Sequence, residues 1–258
     1  MRTMAALFAL AAAAGTAPAA VKTKVVEYEY DGTKLVGFLA YDDAAPGKQP
    51  GVVVFHEWWG LNDYAKKRAE MLAERGYVAF CADLYGDGKV TEHPMEAGKF
   101  AGAVRANIKT WLGRGEAAVK TLRAQPQVDP TKVAAIGYCF GGSTALQLAL
   151  AGDDLAAVAA FHAGLPPVTE EKAKHVKAKI LLCQGGSDAN IPEEANKKFA
   201  DTLKASGAKI DLEIFPGATH SFTVPGIEKK VPMFKYDEAA DKKSWEQMLA
   251  LFKDTLGK

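Results

Sequence analysis

Lys132-Val133-Ala134-Ala135-Ile136-Gly137-Tyr138-Cys139-Phe140-Gly141-Gly142-Ser143 runs from small and branched apolar residues, through a cysteine flanked by glycines, into helix-forming sequence. The apolar run predicts a strand over 132–136, and the residues from Phe140 to Ala151 predict a helix. A strand that turns this tightly into a helix leaves no room for neighbouring side chains, which is what glycines at 137 and 141 supply, and it thrusts the central residue outward. Cys139 then stands at a helix amino terminus, where the helix dipole and free N–H groups favour a thiolate.

The same alternation extends in both directions. Gly51–Phe55 and Val78–Ala82 are continuous apolar runs, and Ala65, Ala69, Leu72 and Ala73 between them mark one face of a helix closed by Gly76. Strands follow over 155–161, 179–183 and 209–215, with helices near 192–205 and 239–256. Before all of these, residues 24–30 and 34–41 alternate apolar and polar around Asp31-Gly32, the signature of a hairpin. Pro126, Pro130 and Pro216-Gly217 read as punctuation in loops, and no stretch is long or polar enough to be a linker. The expectation is an α/β fold with a mostly parallel central sheet, helices on both faces and a leading β-hairpin, in one domain over residues 20–258.

A cysteine nucleophile needs a group that takes its proton and later protonates the leaving atom, and histidine suits both tasks near neutral pH. His220 follows the strand at 209–215, and Asp188 follows the strand at 179–183, so both fall at the same sheet edge as Cys139. Nucleophile, acid and histidine come in the chain order of α/β-hydrolases. Cys81 and Cys183 lie inside apolar strands and read as core; Asp211 is the nearest rival acid but sits within a strand. Trp58 and Trp59 either wall a pocket or pack the core. His56, His162 and His220 fit no metal-ligand spacing, and His93 and His175 read as surface residues.

The chain resembles the dienelactone hydrolase family over nearly its whole length beyond residue 19. The likeness rests on His56-Glu57-Trp58-Trp59-Gly60-Leu61, Asp83-Leu84-Tyr85, Gly137-Tyr138-Cys139-Phe140-Gly141-Gly142, Gly185-x-x-Asp188 and His220-Ser221-Phe222. It implies an α/β-hydrolase fold and a Cys139–His220–Asp188 triad that opens esters and lactones through an acyl-thiol intermediate, with no cofactor and no metal. It further implies an oxyanion hole from the backbone N–H groups of Trp58 and Phe140, and a carboxylate, Glu57, that influences the resting charge of Cys139. In that family two arginines grip a substrate carboxylate. The matching positions here hold Asp87 and Val224, which cannot form the bidentate pairing of a guanidinium, so dienelactone itself is not the expected substrate.

Residues 1–19 hold a charged start, an apolar run over 4–14 and Ala17-Pro18-Ala19, the layout of a signal peptide cleaved after Ala19, and no later segment is apolar enough to span a bilayer. Export is therefore expected. Setting Arg2 aside leaves 31 basic against 31 acidic residues, which gives no electrostatic reason to bind nucleic acid or anionic lipid. Three widely spaced cysteines suggest neither a disulfide scaffold nor a zinc site. The expected partner is a small ester or lactone and the expected state a monomer. Two alternatives stand beside this reading: a redox-responsive thiol at Cys139, and a non-catalytic binding module on the same fold.

Overall fold

The computed structural model describes residues 20–258, so the signal-peptide reading of residues 1–19 lies outside the described residues. The chain opens with the hairpin β1 (Val21–Tyr30) and β2 (Thr33–Asp42). Its turn places Asp31 and Gly32 at φ 50° and 71°, the left-handed pair that a two-residue hairpin with right-twisted strands requires. Then come β3 (Gln49–Phe55), α1 (Asp63–Ala73) and β4 (Val78–Ala82). Helix α1 starts where the Asn62 side chain accepts from the Ala65 amide at 3.2 Å, and the chain leaves it at Gly76, φ 81°.

Between β4 and β5 lie two helices that the sequence reading leaves unassigned, α2 (Pro94–Arg105) and α3 (Ile108–Arg123). Each carries two glycines, which lower intrinsic helix propensity. In α3 those glycines are a packing device. A Cβ on Gly113 would lie 2.0 Å from the Tyr30 ring, and one on Gly115 3.1 Å from Leu148. The remainder is β5 (Val128–Tyr138), α4 (Phe140–Ala151), β6 (Ala157–Phe161), α5 (Glu170–Ala173), β7 (Lys179–Gly185), α6 (Glu193–Ala205), β8 (Ile210–Phe215) and α7 (Glu238–Leu256).

The eight strands form one sheet in the order β1-β2-β4-β3-β5-β6-β7-β8. Pairs β1–β2 and β2–β4 are antiparallel, and all the others are parallel. Pro130 is not in a loop as its sequence context suggests. It lies within β5, where the register jumps from Pro50↔Asp129 to Gly51↔Val133 and residues 130–132 bulge, a place where a proline costs no ladder bond.

Alternation within each central strand feeds two apolar layers. Val53 and Phe55 face the layer covered by α3, α4 and α6, while Val52 and Val54 face the layer covered by α1 and α7. Each such wholly buried side chain contributes about 1.5–3 kcal/mol, and burial on both faces explains why these strands read as unbroken apolar runs. Among the described residues no helix is long and apolar enough to cross a membrane.

Candidate active site

The parallel strands β3, β5, β6, β7 and β8 all end at one edge, and the residues that follow them converge there. At the end of β5 the chain turns abruptly: Cys139 has φ 52° and ψ −112°, a conformation costing a non-glycine residue about 1–3 kcal/mol. The flanking glycines make the turn possible. A Cβ on Gly137 would meet the Gly141 carbonyl oxygen at 2.1 Å, and one on Gly141 would meet the Phe55 carbonyl oxygen at 2.1 Å. The second contact seats the start of α4 directly on the exit of β3, which brings Glu57 and Trp58 beside the cysteine turn. Phe140 opens α4, so its amide has no intrahelical acceptor.

His220 Nε2 lies 3.1 Å from Cys139 Sγ, and His220 Nδ1 lies 2.7 Å from Asp188 Oδ2. The other oxygen of Asp188 accepts the Asn190 amide at 2.8 Å, fixing the carboxylate in its turn. Asp188 and His220 are buried, whereas Cys139 is half-buried at the wall of a cavity of about 330 Å³. Burial presses the His220 imidazole toward its neutral form. The charge of a Cys139 thiolate and the hydrogen bonds to Asp188 and Cys139 outweigh that pressure and lift the group to about 10. An imidazolium at this distance stabilises negative charge on the sulfur.

Glu57 is brought to the same edge, but its immediate partner is Ser221, whose Oγ donates to Oε1 at 2.8 Å. Oε2 has no hydrogen-bond partner among the described residues, and burial pushes the Glu57 carboxyl up from its ordinary value despite the Ser221 bond. Glu57 thus reaches the cysteine turn through the neighbour of His220. Trp58 lines the Cys139 cavity, whereas Trp59 is buried and borders a separate cavity beside Glu57.

The remaining sequence candidates sort by contact. His56 is structural: its Nδ1 meets the Glu57 carbonyl at 2.5 Å, and its Nε2 accepts from the Leu84 amide at 3.2 Å. His93 and His175 are exposed, and Cys81 and Cys183 are wholly buried. Asp211 sits in β8 with its side chain 3.7 Å from Lys179, away from the site. Asp87 is exposed and pairs with Lys89 at 3.5 Å, and Val224 borders a different cavity; neither lines the one at Cys139.

Three contributors escape a reading of motifs. Arg105, the last residue of α2, gives the Cys139 cavity a fixed positive charge and stacks 5.1 Å over the Phe140 ring. Phe234 packs against the His220 ring at 4.9 Å. His162, at the end of β6, meets the His220 ring edge-on at 5.3 Å. Arg105 and Phe234 lie in segments without sequence signal, whereas His162 has one: it follows a parallel strand directly, as Cys139 does.

The comparisons with known proteins agree with this architecture. Residues 35–256 match the family model described as the dienelactone hydrolase family. A protein of Aquifex aeolicus named "Putative carboxymethylenebutenolidase" is 29% identical over 237 residues, spanning 90% of this chain and 99% of its own. A solved structure described as the dienelactone hydrolase-like promiscuous phosphotriesterase P91, from metagenomic libraries, aligns at TM-score 0.88 and 36% identity, over 91% of this chain and 98% of that one. Acylaminoacyl peptidase of Pyrococcus horikoshii aligns at TM-score 0.70 and 18% identity, over 92% of this chain and 42% of that one, a likeness of fold alone.

Proposed function

The chain belongs to the dienelactone hydrolase family and is a hydrolase; on that premise we propose that it cleaves activated esters or lactones with Cys139 as nucleophile, His220 as base and acid, and Asp188 as orienter. The observation that carries the reading is the continuous contact Cys139 Sγ–His220 Nε2–Asp188 Oδ2 at the wall of a cavity able to hold a small molecule.

In the proposed cycle the Cys139 sulfur attacks the carbonyl carbon, and the carbonyl electron pair moves to an oxygen held by the Trp58 and Phe140 amides. The carbonyl reforms, the carbon–oxygen bond breaks, and His220 gives its proton to the departing oxygen. Water, deprotonated by His220, then attacks the acyl-thiol, and the acid leaves as the Cys139 thiolate and His220 imidazolium are restored. Asp188 keeps the proton on Nδ1, so that Nε2 always faces the reacting atoms.

Substrate preference follows from leaving-group chemistry. A tetrahedral intermediate expels its better leaving group, and a thiol with an ordinary pKa of about 8.5 outcompetes an alkoxide. Aryl esters, enol esters, activated lactones and thioesters therefore fit better than alkyl esters. The likeness to P91 adds phosphotriesters as candidates for the same nucleophile.

The test is turnover of p-nitrophenyl and enol esters against ethyl esters by wild type, Cys139→Ala and Cys139→Ser, with mass spectrometry for the acyl-thiol. Cys139→Ala should abolish turnover without unfolding the protein. A Cys139→Ala protein of full activity, or ethyl esters cleaved as fast as aryl ones, would overturn the proposal.

A further inference from the structure

His162 is the residue after β6, and it takes φ 38° although it is not glycine, a backbone state that persists only where its surroundings enforce it. The enforcement is visible. Its amide donates to the Cys183 carbonyl at 2.8 Å, its side chain is wholly buried, and its Nε2 lies 2.8 Å from Thr223 Oγ1. Thr223 belongs to the loop that carries His220, three residues on.

That loop is held at Thr223 from several directions. Tyr64 Oη, on α1, lies 2.6 Å from Thr223 Oγ1. Arg68, also on α1, donates to the Thr223 carbonyl at 2.8 Å, to Tyr64 Oη at 3.2 Å and to Asp241 of α7 at 2.5 Å. An arginine can only donate, so the arrangement that leaves no hydroxyl proton unpaired runs one way. Arg68 donates to Tyr64, Tyr64 to Thr223, and Thr223 to His162 Nε2. This makes His162 Nε2 the acceptor at the end of the chain and puts the ring proton on Nδ1, which is buried and has no hydrogen-bond partner among the described residues. Burial, and then the charges of His220 and Arg68, hold the imidazole in its neutral form.

The ring meets His220 edge-on at 5.3 Å and 65°, and Phe222 at 5.3 Å and 82°. His220 is therefore bounded by His162 and, at 4.9 Å, by Phe234.

We infer that His162 is a positioning residue for His220: a buried imidazole that anchors the histidine loop through Thr223 and abuts the His220 ring, setting His220 Nε2 on the Cys139 sulfur. The inference rests on the proposed roles of Cys139 and His220. The function needs the ring and the acceptor nitrogen together. An amide at 162 keeps an acceptor and loses the ring, and phenylalanine keeps the ring and strands the Thr223 hydroxyl.

The experiment measures His162→Ala, His162→Gln, His162→Phe and Thr223→Val in the full chain by two readouts. One is kcat and KM on a p-nitrophenyl ester. The other is the pH dependence of iodoacetamide alkylation at Cys139, which reports the Cys139–His220 contact whether or not an ester is turned over. His162→Ala should lower kcat about tenfold or more with KM within about twofold, since ångström-scale misplacement of a reacting group carries that cost, and it should displace the alkylation profile. His162→Gln should recover part of kcat, and His162→Ala with Thr223→Val together should cost less than the product of the two alone.

Should folded His162→Ala or His162→Gln keep kcat within twofold, the inference is overturned. It is equally overturned if melting temperature falls while the alkylation profile stays put. A displaced profile in a protein whose wild type turns over no ester would leave the positioning role standing and sink the proposed function instead.

Discussion

Cys139 and Cys183 are two thiols of one sheet placed in opposite physical situations. Cys183, like Cys81, lies inside a strand, wholly buried among apolar side chains, and burial pushes both thiols well up from their ordinary value. Cys139 lies one residue beyond its strand, half-buried at a cavity wall, with an imidazole nitrogen 3.1 Å from its sulfur. The difference is a matter of where in the strand the residue falls. The middle of a parallel strand silences a cysteine, whereas its carboxyl end, on a turn that forces the side chain out, exposes it to partners arriving from other strands.

The sharpest way to break that contrast is activity. Asp188→Asn and His220→Ala should each lower kcat/KM on a p-nitrophenyl ester by about 10³–10⁴, whereas Cys81→Ala and Cys183→Ala should stay within about twofold. Comparable losses at all four positions would erase the distinction. Next comes reactivity. In the native protein iodoacetamide should label Cys139 at least about a hundredfold faster than Cys81 or Cys183, as read by peptide mass spectrometry, because only a thiolate within reach of solvent reacts.

Stability sharpens the comparison between the turn and an ordinary helical position. Gly141→Ala should cost about 3 kcal/mol or more in denaturant unfolding, because the new methyl collides with the backbone of Phe55. Gly102→Ala, in α2, has open space around it and should instead gain about 0.5–1 kcal/mol. An effect of about the same size as that at Gly102, but dependent on pH, is expected at Glu57. Burial raises its carboxyl above the ordinary value of 4.5, so the folded state binds the proton more tightly than the unfolded one. Its stability cost therefore grows as pH climbs above that value. Glu57→Gln should raise the melting temperature by about 2–4 °C near pH 8 and leave it unchanged near pH 4. A gain independent of pH would assign the effect to something other than the charge.

The legible part of this molecule is what obeys local rules. Strand ends followed by Cys139, Asp188 and His220 can be read from the chain because a parallel sheet gathers such ends at one edge whatever the loops do. Helices α2 and α3 escape because Gly98, Gly102, Gly113 and Gly115 weaken the helical signal, and in α3 the glycines serve contacts with Tyr30 and Leu148 that no local window contains. Arg105 escapes for the same reason: its role depends on where α2 lands. His162 is a halfway case. Its position after a strand is plain in the sequence, but its contact with Thr223 joins residues 61 apart and belongs to the packed structure alone.

The two outermost strands also bear on how molecules of this chain meet one another. An eight-stranded open sheet has two edges whose unpaired amides could template a neighbour, and here both carry charged side chains. The first strand offers Lys22, Lys24, Glu27 and Glu29, and the last offers Asp211 and Glu213. A second sheet approaching either edge would have to strip water from these groups before gaining a single ladder bond, so the fold discourages edge-to-edge aggregation while leaving the strand ends beside Cys139 open to small molecules.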